Sequence, residues 1–267
     1  NNYIMSQPDK NISFLVAMPR SGNTLFASLM NQNPNVAVTG NSITLEIMKE
    51  LYLLKKTDVF RNYPDHHSLD NVLNSVFDNY YKDWSQKYII DRGPVTTKGN
   101  LFVMNNHFKR PIKCIVLLRD LVDVAASWIK YCMINPDNFI RNNSLDLDHA
   151  LRTLMLDTGQ IARNLKALEF LVKPENHHMA CFIKYDDLIS NPRDSINKVY
   201  EFLDIPKFEH DYKNLNQFKL NGLSYDDENV LGKDVHTIRT DGIYKVENEY
   251  KNMVPEWFIN KYGHIKF

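Results

Sequence analysis

Cysteine is scarce in this chain. Its 267 residues hold three, Cys114, Cys132 and Cys181, with no C-x-x-C spacing. An odd number without paired spacing supports neither a disulfide framework nor a thiolate metal site. Cys114 and Cys181 fall in apolar, strand-like runs and read as small core residues. A reducing compartment is therefore expected, and with it a cytoplasmic location. Excess charge of one sign is missing too: 32 Lys and Arg balance 32 Asp and Glu. Without a global basic field, and with its basic residues dispersed, the chain is not expected to bind nucleic acid. No apolar run approaches the roughly 18–20 residues that a membrane span needs. Residues 1–11 are polar, lack the form of a secretory signal, and read as a flexible N-terminal segment. No cluster of metal-ligating residues stands out, so no metal is expected.

What is present is ordinary globular material, 43% hydrophobic and 24% charged, without repeats or low-complexity stretches. A single domain over 1–267 is expected, with 207–267 as its loop-rich C-terminal region. Four apolar runs, 12–17, 88–91, 112–118 and 180–184, lack alternation, which suits a parallel sheet covered on both faces. Helical patterns fall at 24–31, 42–54, 70–84, 98–106, 122–131 and 147–171, and Pro192 opens another. The alternation predicts a three-layer α/β domain with a central, mainly parallel sheet flanked by helices. Two Asn- and Asp-rich patches, 135–143 and 220–234, read as loops, the second long enough to form a lid.

The first apolar run breaks into Pro19-Arg20-Ser21-Gly22-Asn23-Thr24 and then directly into a helical stretch. A buried strand passing through a small-residue turn into a helix start is a ready anion site, because free N–H groups and the positive dipole end converge there. Gly22 permits close backbone approach, Ser21 and Thr24 add hydroxyls, and Arg20 adds charge. The nucleotide-hydrolase form of this turn is absent: no Lys follows Gly22. A second strand, 112–118, ends in Arg119-Asp120 and runs into a helix carrying Ser127. Strand ends of a parallel sheet share one edge, so Arg119 should emerge near the turn. A guanidinium beside a hydroxyl suits a second phosphate.

These segments resemble two motifs of the sulfotransferase family: Pro19 to Thr24 its 5′-phosphosulfate loop, and Leu118-Arg119-Asp120 through Ser127 its 3′-phosphate motif. Ile183-Lys184-Tyr185-Asp186-Asp187-Leu188 with Asn191-Pro192 is similar to the family's aromatic-acidic segment. The resemblance implies the P-loop NTPase-like sulfotransferase fold and the donor 3′-phosphoadenosine 5′-phosphosulfate. It also implies sulfuryl transfer to a hydroxyl or amine, with no metal. Arg20, Ser21, Gly22, Asn23 and Thr24 would hold the phosphosulfate; Arg119 and Ser127, with Tyr185 beside them, would take the 3′-phosphate. Arg92 would face the transferring group, ahead of Lys98, and a late basic loop would bring Arg239 and Lys245 over the 3′-phosphate. Tyrosylprotein-type relatives carry a glutamate where this chain has Gly40-Asn41-Ser42, so the proton acceptor must lie elsewhere. Glu46 is preferred and Asp91 next, with His66, His67 and His236 as further bases. The acceptor stays open among small alcohol, sugar, lipid and peptide. A P-loop-like kinase or hydrolase, or a non-catalytic nucleotide-binding module, are the rival readings.

Overall fold

The computed structural model describes residues 10–224, 232, 235–245 and 247–267. Five strands, β1 (Asn11–Ala17), β2 (Val36–Val38), β3 (Tyr88–Arg92), β4 (Cys114–Leu118) and β5 (Ala180–Lys184), form one sheet in the order β2-β3-β1-β4-β5. All four pairings are parallel. Apolar residues on both faces explain the missing alternation. Phe14, Val16, Ile89 and Val116 join one buried layer. Leu15, Ala17, Ile90 and Ile115 join the other. Phe14 meets Phe77 and Phe108 edge-on, with ring centres 5.6 and 5.4 Å away.

The helices are α1 (Asn23–Met30), α2 (Thr44–Leu53), α3 (Asp58–Asn62), α4 (His66–Tyr80), α5 (Lys98–His107), α6 (Leu121–Ile134) and α7 (Phe139–Asn142). They continue as α8 (Leu147–Leu154), α9 (Gln160–Leu171), α10 (Tyr185–Ser190), α11 (Pro192–Leu203) and α12 (Glu256–Tyr262). Three expectations need correcting. The run 147–171 is two helices, because α8 ends at Leu154 and α9 starts after Gly159, where a Cβ would lie 2.4 Å from the Leu154 carbonyl oxygen. The patch 135–143 contains α7, capped by the Asn138 side chain. Strand β2 was not expected, since three residues carry too little pattern. Asn31 secures it, accepting from the Val38 N–H at 2.7 Å and donating to the Val38 carbonyl at 3.2 Å.

The C-terminal region straps along α1. Gln32 and Asp211 exchange two hydrogen bonds, and Ser28 Oγ donates to the Asn216 carbonyl at 2.6 Å. Phe258 of α12 is fully buried in the core. In the segment 1–11, Asn11 opens β1 and the Lys10 ammonium donates to the Gln86 carbonyl at 3.1 Å; residues 1–9 lie outside the described residues. So do 225–231, 233 and 234 of the expected lid. All three cysteines are buried and free, and burial pushes the Cys181 thiol up to about 11. Among the described residues no helix is long and apolar enough to cross a membrane, and no group of His, Cys, Asp or Glu is arranged to hold a metal ion.

Candidate functional site

Because the sheet is parallel, the turns after β1, β3, β4 and β5 open on one edge. The turn after β1 takes positive φ at Arg20 (66°) and at Gly22 (89°). It is pinned by Asn23, whose Nδ2 donates to the Met18 carbonyl at 2.9 Å. No side chain caps the start of α1 and no acid sits in its first turn, so its leading N–H groups remain available to an anion. Ser21 Oγ is buried without a hydrogen-bond partner. Gly22 lies against Tyr185: a Cβ there would come 3.0 Å from the ring's Cδ2.

Arg119, just past β4, joins the turn as the sheet-edge rule requires. Its guanidinium donates to the Arg20 carbonyl and lies over the Tyr185 ring, 4.1 Å from the ring centre. Its Nε is buried with no partner. Ser127, expected beside Arg119, instead accepts from Arg20 Nε at 3.1 Å, and Arg20 Nη1 donates to the Val235 carbonyl at 3.0 Å. Desolvation, reinforced by the nearby Arg119 charge, lowers the Arg20 pKa. Two cations crowded into a partly dry site are relieved by a bound polyanion.

The turn opens into a cleft of about 530 Å³. Among the described residues its lining includes Arg20, Arg92, Arg119, Arg163 and Arg239, against one acid, Glu46. Gly22, Asn23, Thr24, Ser127 and Tyr185 also line it. The Arg92 guanidinium donates to the Gly40 carbonyl at 3.1 Å. Arg239 lies over the Tyr244 ring at 5.4 Å, whereas Lys245 is outside the lining and pairs with Asp186 at 2.9 Å.

The two preferred carboxylates behave differently. Glu46, in the first turn of α2, lines the cleft and meets Arg163 at 3.4 Å. Asp91 is fully buried and does not line it. Its Oδ2 accepts from Thr44 Oγ1 at 2.8 Å and from the Tyr81 hydroxyl, and burial raises its pKa. His66 and His67 are exposed on α4, and Lys98 is exposed at the start of α5, all outside the cleft lining. His236 does line the cleft, and its carbonyl accepts from Gln217 Nε2 at 3.1 Å. The sequence reading missed Gln160, Arg163 and Asn164. They sit at i, i+3 and i+4 of α9 and form one face toward the cleft, a spacing that can be read once α9 is seen to begin at residue 160.

A parallel α/β sheet with an uncapped helix start and several arginines at one edge defines a protein built to grip a polyanionic ligand. The sequence pattern of the sulfotransferase domain matches residues 10–237, and the chain belongs to that family. It is a sulfotransferase, a transferase enzyme, rather than a nucleotide kinase or hydrolase. Its structure is similar to the sulfotransferase domain of the Synechococcus PCC 7002 olefin synthase, at 14% identity, TM-score 0.54 and 98% coverage of each chain. It is also similar to mouse sulfotransferase SULT7A1, solved with PAP, at 14% identity and TM-score 0.53, covering 95% of this chain and 82% of that one. At such identities these likenesses speak for the fold. Comparison with curated protein sequences gives no match.

Proposed function

We propose that the sulfuryl donor is 3′-phosphoadenosine 5′-phosphosulfate. The observation that carries this is the convergence of Arg119 on the turn after β1, with Arg119 Nε and Ser21 Oγ both buried and unpartnered at the same place. Buried polar atoms cost free energy unless a partner arrives, and phosphate oxygens would supply one. The presence of PAP in the mouse relative supports the same donor. In this reading the N–H groups of Ser21, Gly22, Asn23 and Thr24, with Arg20, hold the 5′-phosphosulfate. Arg119 and Arg239 hold the 3′-phosphate, Tyr185 backs Arg119, and Ser127 fixes the rotamer of Arg20. Asn23 contributes backbone only, since its amide is committed to Met18. Lys245, paired with Asp186, is left out.

Chemistry here needs placement and charge stabilisation. Sulfuryl transfer in line builds charge on the bridging oxygen, and Arg20 and Arg92 are the cations disposed to meet it. Glu46 is the proton acceptor in this reading, because it is the one acid among the described residues that line the cleft. Glu46→Gln should then lower kcat by about 10²–10⁴-fold while leaving PAP binding unchanged. The three buried free thiols support a reducing compartment, the cytoplasm, as its location.

Calorimetric titration with PAP, against ATP with Mg²⁺, tests the donor site. PAP should bind far more tightly, and Arg119→Ala should abolish that preference. A preference for ATP, or PAP binding indifferent to Arg119, would overturn the proposal.

A further inference from the structure

The cleft has a second wall that the donor does not need. One 3′-phosphate carries a charge of about −1.5 to −2, and the phosphosulfate adds a negative charge on each of its two groups. Arg20, Arg92, Arg119 and Arg239 answer that total. Arg163 is left over, on the polar face of α9 with Gln160 and Asn164, and its carboxylate partner is Glu46 of α2. Both side chains are about half exposed, at 45% and 52%. Among the described residues this wall carries no aromatic ring: Trp128, Tyr185, His236 and Tyr244 line the cleft from other segments. A flat apolar acceptor would therefore find no stacking surface there beyond Ile43 and Pro94, whereas a hydroxylated one meets amides and a guanidinium.

We infer that the α2–α9 wall is the acceptor subsite and selects an alcohol bearing an anionic substituent, with Arg163 as the specificity-determining residue. The inference rests on the donor reading above. The acceptor's anion takes the guanidinium of Arg163 in place of Glu46, which a long and solvated 3.4 Å pair permits at little cost. Glu46 is thereby released toward the acceptor hydroxyl. That hydroxyl oxygen forms a bond to sulfur as the bond from sulfur to the bridging phosphate oxygen breaks. The leaving electron pair stays on PAP, and the hydroxyl proton passes to Glu46 and then to water. An anionic acceptor thus switches on the base that its own reaction requires.

The test is calorimetric titration of the full chain, saturated with PAP, with p-nitrophenyl β-D-glucuronide and its uncharged counterpart p-nitrophenyl β-D-glucoside. The glucuronide should bind about tenfold more tightly, the effect of one charge-assisted bond at a half-exposed site. Arg163→Gln should erase that ratio, Arg163→Lys should restore part of it, and Glu46→Gln should tighten the glucuronide by removing its competitor. Equal affinities for the two glycosides, a ratio that survives Arg163→Gln, or failure of both to bind the PAP-loaded protein would overturn the inference. The PAP titration of the same samples separates the two levels. Loss of discrimination with PAP bound sinks only the acceptor subsite, whereas absence of PAP binding sinks the donor reading and this inference with it.

Discussion

Replacing Gly22 by alanine isolates what the turn after β1 asks of its backbone. Two costs add at this position. The φ of 89° lies where an L side chain is strained, worth about 1–2 kcal/mol. The new methyl would also sit 3.0 Å from Tyr185 Cδ2, so the ring must give. That ring is not free to do so without loss, because Arg119 lies over it at 4.1 Å, a contact worth about 0.5–2 kcal/mol. Gly22→Ala should therefore cost about 2–3 kcal/mol. Gly222 supplies the control: its φ is 77°, yet a Cβ there meets nothing within 4 Å. Gly222→Ala should thus show the backbone cost alone, about 1 kcal/mol. With about 2–4 °C per kcal/mol for a chain of this size, thermal unfolding should fall by roughly 4–12 °C for Gly22→Ala and 2–4 °C for Gly222→Ala. PAP affinity should drop only in the first. Equal shifts in the two variants, or undiminished PAP binding by Gly22→Ala, would refute the packing of turn, ring and guanidinium as one unit.

Three further outcomes follow from the geometry. Gly159→Ala should lower stability by about 1–3 kcal/mol, because its methyl would meet the Leu154 backbone at 2.4 Å; denaturant unfolding measures it, and a neutral result would contradict the tight α8–α9 junction. Burial raises the Asp91 pKa, so the stability it contributes is full below its unfolded value and is lost as pH rises through the folded one. The stability advantage of wild type over Asp91→Asn should accordingly shrink from pH 4 to pH 8, and a constant difference across unfolding curves would count against it. Lys245→Ala should change PAP affinity by less than about twofold, since its ammonium answers Asp186 at an exposed pair, while Arg239→Ala should weaken PAP; parallel titrations decide between them.

The turn after β1 and the arrival of Arg119 beside it were legible because their information is local. One contiguous stretch holds strand, turn and helix start, and the parallel-sheet rule alone brings Arg119 to the same edge. The side-chain partners were harder. The Arg-to-Ser spacing put Ser127 with Arg119 on one phosphate, and it could not show that the hydroxyl also accepts from Arg20. Asp91 was misjudged for a reason that strand parity exposes. It lies two residues after Ile89 and opposite Phe14, so it shares their face and points into the layer that holds Tyr81. Arg92, one residue on, turns to the other face and reaches the cleft. Reading the final strand residue with its period would have separated the two.

The wall proposed for the acceptor resisted for a different reason. Nothing in it is contiguous: Glu46 comes from α2 and the polar face from α9, more than a hundred residues later. Each of those residues has an ordinary surface role when seen alone, and their meaning depends on how two elements converge. The break at Gly159 decides the last of them. Had 147–171 been one helix, the five residues 155–159 would have added a helical rotation of about 500° at 3.6 residues per turn, locking the apolar faces of the two halves about 140° apart. Instead, Gly159 ends that phase and lets α9 start afresh, with Ile161, Leu165 and Leu168 buried and Gln160, Arg163 and Asn164 toward the cleft. The proposed donor site is thus written in backbone that a short motif encodes, whereas the proposed acceptor wall depends on one glycine that resets a helix, and any change there should alter what the enzyme sulfates before it alters what it sulfates with.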